Sequence, residues 1–154
     1  MKITLEASSS LPKVKSAQRF TLDGGKRNSN YFFVSYQEND STIWFGNRGY
    51  GAYKMNTRTN QLTPCRIDDV VKNQTVNDIF AIHKNDEGYW FGTSFGLTRL
   101  YQGEYRVYNE TDGFPNNTIH GILEGRDNNL WLSTNQGMVR FNVCLLYTSP
   151  SPRD

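Results

Sequence analysis

Two histidines and two cysteines are the scarcest chemistry-bearing residues of this 154-residue sequence, and their spacing keeps them apart. His83 and His120 fall toward opposite ends of segments that read as equivalent strands. That placement suits separate structural hydrogen bonds better than a shared metal. Cys65 and Cys144 lack the Cys-x-x-Cys spacing of a zinc site and give no disulfide framework. The turns Asn85-Asp-Glu-Gly88 and Arg126-Asp-Asn-Asn129 lack the alternating oxygen ligands and terminal Glu of a calcium loop, and read as hairpin turns. No Gly-x-Ser-x-Gly, His-Glu-x-x-His or phosphate-loop string occurs. The expectation is a chain with no catalytic residue, no metal and no cofactor. The chemistry left is recognition, by aromatic and planar polar side chains in short loops.

A repeat places those loops. Trp44-Phe-Gly, Trp90-Phe-Gly and Trp131-Leu-Ser each open one copy of a unit that continues to a glycine and an apolar-polar run, at Gly51, Gly96 and Gly137. Trp44 to Trp90 is 46 residues and Trp90 to Trp131 is 41, a period of about 40 to 50 residues that fits four-stranded propeller blades. The fold class expected is all-β: a partial β-propeller of four-stranded antiparallel blades, two nearly complete and part of a third. Residues 1–30 read as the end of a preceding blade and a loop, with Phe20-Thr-Leu22 as its outermost strand. Blade one spans 31–72, blade two 73–112 and partial blade three 113–143. In each, strand A precedes the Trp strand B, strand C starts at the glycine, and strand D follows where present.

Residue types within the unit fit such packing. Middle strands of a blade are covered on both faces, so Trp44-Phe45 and Trp90-Phe91 need not alternate apolar with polar. Gly46 and Gly92 remove a Cβ beside a bulky indole so that a neighbouring strand can approach; Ser133 is a small substitute. Trp44, Gly46, Gly51, Trp90, Gly92, Gly96, Trp131 and Gly137 are therefore the structural signature. In an antiparallel meander the B–C and D–A loops share one rim, which collects Asn47-Arg-Gly-Tyr50, Ser94-Phe95, Asn135-Gln136 and Gly113-Phe-Pro-Asn-Asn117. The candidate ligand contacts are Arg48, Tyr50, Phe95, Asn116, Asn117 and Gln136. One inserted residue makes Arg48 and Tyr50 the most individual of them; Phe95 and Phe114 serve equally well as wedges between blades.

Composition narrows the partners. With 17 basic and 15 acidic residues, net +2, there is no basic surplus to hold a phosphate backbone, so nucleic acid is not an expected partner. Apolar runs are too short to span a membrane. Glu6 interrupts any apolar core in the first ten residues, which therefore do not read as a secretory signal; the protein is cytoplasmic or its true start lies upstream. Asn-x-Ser/Thr strings at Asn39, Asn73, Asn109 and Asn116 read as chance products of Asn-rich loops. Residues 144–154, Cys-Leu-Leu-Tyr-Thr-Ser-Pro-Ser-Pro-Arg-Asp, match a translation of a transposase sequencing adapter. Native sequence is expected to stop near Val143.

The run of Trp-Phe/Leu-Gly/Ser-Thr, Gly-Leu/Met and Arg, a strand such as Tyr105-Arg-Val-Tyr108, then Asp112-Gly-Phe-Pro-Asn-Asn-Thr-Ile119, resembles the two-component-regulator propeller repeat. The resemblance covers roughly 31–142 and is strongest from 77. It implies the periplasmic sensor region of a hybrid histidine kinase, tuned to an oligosaccharide or other small molecule. The partners it implies are the remaining blades of the parent chain and a second copy of the parent receptor. The alternative is a fragment of a streptogramin-lyase-like propeller enzyme. That enzyme needs a catalytic His and acidic metal ligands converging on one channel, which two histidines on similar strands do not obviously supply. A WD-type scaffold is disfavoured because the Trp-Asp and Gly-His signatures are missing.

Overall fold

The computed structural model describes residues 4–6, 13–22, 30–65 and 78–143. They belong to two units, 1–30 and 31–154. In the first, β1 (Thr4–Glu6) pairs antiparallel with β2 (Lys13–Ser16). The strand expected at Phe20–Leu22 does not form. The Leu22 N–H donates to Asn30 Oδ1 at 2.8 Å instead of to a ladder, because a three-residue alternation with no partner strand gives too few cross-strand contacts to hold an extended edge.

The second unit is three antiparallel sheets. The first has the order β3 (Phe32–Asn39), β4 (Thr42–Asn47), β5 (Ala52–Asn56), β6 (Gln61–Cys65). The second runs β7 (Ile79–Asn85), β8 (Gly88–Thr93), β9 (Gly96–Tyr101), β10 (Glu104–Tyr108). The third is β11 (Ile119–Glu124), β12 (Asn129–Thr134), β13 (Gly137–Asn142), three strands among the described residues. Each sheet is a meander in sequence order, and among the described residues no barrel closes. Strand A of the first copy, expected at Tyr31–Tyr36, runs three residues further, since pairing continues through Gln37↔Ile43 and Asn39↔Thr42. The loop expected at 23–29, the stretch 66–77 and the adapter-like 144–154 lie outside the described residues.

Burial follows from pairwise stacking of these sheets. Trp44, Ala52, Ile79, Ile82 and Phe91 form one core cluster; Trp90, Leu97, Tyr108, Phe114, Ile119, Leu130, Leu132 and Val143 form another. The Trp of each of the first two copies thus faces the following sheet, whereas Phe91 and Leu132, one residue on, face the preceding one. That is why Trp90 and Phe91 are both fully buried although adjacent. Glycine makes the approach possible. A Cβ on Gly92 would lie 2.7 Å from the Ile119 carbonyl oxygen in the next sheet, and one on Gly46 would lie 2.8 Å from the Ile79 carbonyl oxygen.

Candidate functional site

The rim of B–C and D–A loops is built from two kinds of turn. In the second and third copies Thr93 and Thr134 hold two-residue loops: each hydroxyl donates to the carbonyl of Gly96 or Gly137 at 2.9 Å and accepts the N–H of Phe95 or Gln136 at 3.0 Å. Gly96 and Gly137 take φ of 142° and 100°, which a side chain would oppose. In the first copy Asn47 replaces the threonine and the loop widens. The Asn47 N–H donates to the Gly51 carbonyl at 3.0 Å and the Arg48 N–H to the Tyr31 carbonyl at 2.9 Å, while Gly49 and Gly51 both have positive φ. The inserted residue thereby leaves Arg48 and Tyr50 exposed.

The predicted rim contacts do not all share that exposure. Gln136 is exposed; Phe95 packs against the first core cluster as a wedge. Asn116 and Asn117 spend their side-chain oxygens on the loop itself, accepting from the Thr118 N–H and the Glu110 N–H, each at 2.9 Å. The connection containing them opens with a short 3-10 turn, Glu110–Asp112, capped reciprocally by Asn109 and Asp112 and ended by Gly113 at φ 98°. It carries Phe114 into the second core, edge-on to Phe141.

Several contributors were missed from sequence. One is the strand C cation: Lys54, Arg99 and Arg140 sit directly across from Trp44, Trp90 and Trp131 and over their rings, at 4.5, 5.5 and 5.8 Å. The motif contained these residues; their cross-strand register was the signal. Another is Glu38, which accepts from Trp44 Nε1 at 2.8 Å, Lys84 Nζ at 2.8 Å and the Tyr89 hydroxyl at 2.5 Å, joining the first sheet to the second. Burial alone would raise its pKa, but hydrogen bonds from Lys84, Tyr89 and Trp44, with Lys54 nearby, outweigh that and hold it at about 2. At the next junction Glu124 meets His83 Nε2 and the Asn85 amide, both at 2.8 Å, and Asn85 accepts from Trp90 Nε1 at 2.9 Å. The histidines thus have separate partners, since His120 Nε2 lies 2.6 Å from Asn135 Oδ1. A cavity of about 560 Å³ on the opposite rim is lined by Asn85, Glu87, Glu124 and Arg126 among others. Among the described residues no group of three His, Cys, Asp or Glu is placed to hold a metal ion.

A third missed feature runs along the innermost strands. β3, β7 and β11 each shift register at the same place, between Phe32 and Val34, Ile79 and Ala81, and Ile119 and Gly121. The bulged residues are Phe33, Phe80 and His120. Their rings follow one another at 5.3 and 5.4 Å between centroids, and none belongs to either core cluster.

Residues 113–136 match the two component regulator propeller family. A histidine kinase of Formosa agariphila, Histidine kinase P4, is 28% identical over an alignment that covers 72% of this chain and 12% of the relative. Among solved structures, the extracellular domains of two hybrid two component systems from B. thetaiotaomicron superpose with TM-scores of 0.65 and 0.62. Each is 21% identical; they cover 82% and 87% of this chain and 16% and 19% of their own. The chain therefore spans less than a fifth of the length of these relatives. Repeat pattern and sheet topology agree with these likenesses: residues 113–136 match one two component regulator propeller repeat, and the chain shares the all-β fold of those propeller domains.

Proposed function

We propose that the chain is a segment of the ligand-sensing propeller of a hybrid two-component receptor, lying on the periplasmic side of the membrane, with an oligosaccharide as its ligand and no catalysis of its own. The observation carrying this reading is the repeat fold shared with extracellular sensor domains, combined with a rim on which Arg48, Tyr50 and Gln136 point into solvent. Planar polar and aromatic groups of this kind hydrogen-bond to hydroxyls and stack on the C–H faces of sugar rings. Such a ligand signals only if it favours one arrangement of the receptor over another, so its contacts must differ between the two states. The other partners in this reading are further blades, which cover the third sheet, and a second copy of the receptor. Calorimetric titration of the intact protein containing this chain with a panel of tetrasaccharides, followed by chromatography of the sugars, tests the reading. Saturable binding with the sugar recovered unchanged is expected. Cleavage of the sugar, or no binding by any member of the panel, would overturn it.

A further inference from the structure

We propose that Phe33, Phe80 and His120 form a stacking platform for successive sugar rings of the bound oligosaccharide; this rests on the oligosaccharide reading above and assigns its site. The first argument is geometric. A β-bulge adds one residue to a strand and re-aims its side chain away from the normal alternation. Here the bulge recurs at one position in three successive repeats and turns out a planar ring each time. In β3 the flanking residues go elsewhere: Phe32 lies edge-on to Phe45 and Tyr53, and Val34 packs on the core around Trp44. Phe33 between them is 49% exposed.

The second argument is chemical. A row of rings that only filled space would be apolar throughout, yet its third member is an exposed histidine. Because an amide oxygen only accepts, its contact with Asn135 Oδ1 puts the proton on His120 Nε2 and fixes the plane of the ring. Asn135 belongs to the B–C turn beside Gln136, so the row ends among the planar polar side chains of the rim. Aromatic faces followed by fixed polar groups suit a ligand with apolar C–H faces and a polar edge, which describes a pyranose chain. Repetition along three strands suits a ligand that itself repeats.

The test uses the intact protein and cellotetraose, xylotetraose, laminaritetraose and 1,5-arabinotetraose as probes, measured by calorimetry. For each probe that binds, Phe80→Leu and His120→Ala are expected to weaken affinity at least tenfold and Phe33→Ala at least fivefold. Phe80→Tyr and His120→Phe, which keep a ring, are expected to stay within threefold, as is the control Arg58→Ala on an exposed turn. Phe80→Leu keeps apolar bulk, and its melting temperature separates loss of a stacking face from loss of fold. Binding that survives Phe80→Leu, Phe33→Ala and His120→Ala in folded protein would overturn the platform and leave the oligosaccharide reading standing. No binding of any probe by the unaltered protein would overturn both. Equal loss in the Phe80→Tyr and Phe80→Leu variants would also overturn the platform, since a ring would then not be what matters.

Discussion

Trp44 and Trp90 are 1% and 0% exposed, whereas Trp131, at the same place in the third repeat, is 44% exposed. The difference lies beyond the sheet. Trp44 has Tyr89 and Phe91 of the following sheet within 4.9 and 5.7 Å, and Trp90 has Phe141 within 5.8 Å. Trp131 shares its face with Leu123 and Met138, which are 69% and 82% exposed, and with a shallow cavity of about 270 Å³. One sequence motif thus yields a buried residue where another sheet is stacked on it and an apolar surface where none is among the described residues. A repeat carries half an interface, and its neighbour supplies the rest.

The largest effect expected from breaking this contrast is at the tryptophans. Trp90→Ala should cost about 3–5 kcal/mol through lost burial and the cavity it leaves, while Trp131→Ala should cost less than about 1 kcal/mol; urea unfolding midpoints compare them. Next is the covered junction's carboxylate. Glu38 has its pKa depressed from 4.5 to about 2. Its contribution is therefore present above pH 4.5 and lost as the pH falls through 2. Stability measured from pH 5 to pH 2 should drop by about 2–3 kcal/mol more in the unaltered chain than in Glu38→Gln, which starts lower. Asp127, bonded to Asn129 and Arg140 on the third sheet, is also held below the usual carboxylate range. It lies in water, so Asp127→Asn should leave the unfolding midpoint nearly unchanged.

Smaller still is the glycine contrast. Gly92→Ala drives a Cβ against a backbone oxygen of the next sheet and should cost about 1–3 kcal/mol. Ser133, its counterpart, is exposed, and Ser133→Ala should move stability by no more than about 0.5 kcal/mol. The smallest is the cation. Arg99 is held by Glu87 over Trp90, and Arg99→Ala should cost about 1–2 kcal/mol. Arg140→Ala should lower the midpoint less. A thermal melt of each resolves the pair.

The same contrast explains what could be read in the residues beforehand. Trp-Phe-Gly identified the blade because its residue types answer to packing on both faces, and Gly96 and Gly137 began strands as expected, since a positive φ at a two-residue turn leaves few alternatives. Strand ends slipped by one to three residues where polar residues such as Gln37 and Asn39 still found cross-strand partners. The bulges were invisible, because a one-residue shift in pairing leaves no mark in a single strand's pattern. Phe33 and His120 therefore passed for ordinary strand residues. Glu38 was equally hidden: its partners Lys84 and Tyr89 belong to the next repeat, and only stacking brings them together. Of the rim residues, loop length singled out Arg48 and Tyr50 as the most individual, and both are exposed. Nothing in the sequence revealed that Asn116 and Asn117 would be occupied in holding their own loop.

Acrylamide quenching of three single-tryptophan variants, made by Trp→Phe at the other two positions, tests the stacked-repeat account most directly. Trp44 and Trp90 should be strongly shielded and emit to the blue, while Trp131 should quench several-fold more readily and emit to the red. Equal shielding of all three, or a readily quenched Trp90, would contradict an array in which each sheet buries the tryptophan of the one before it.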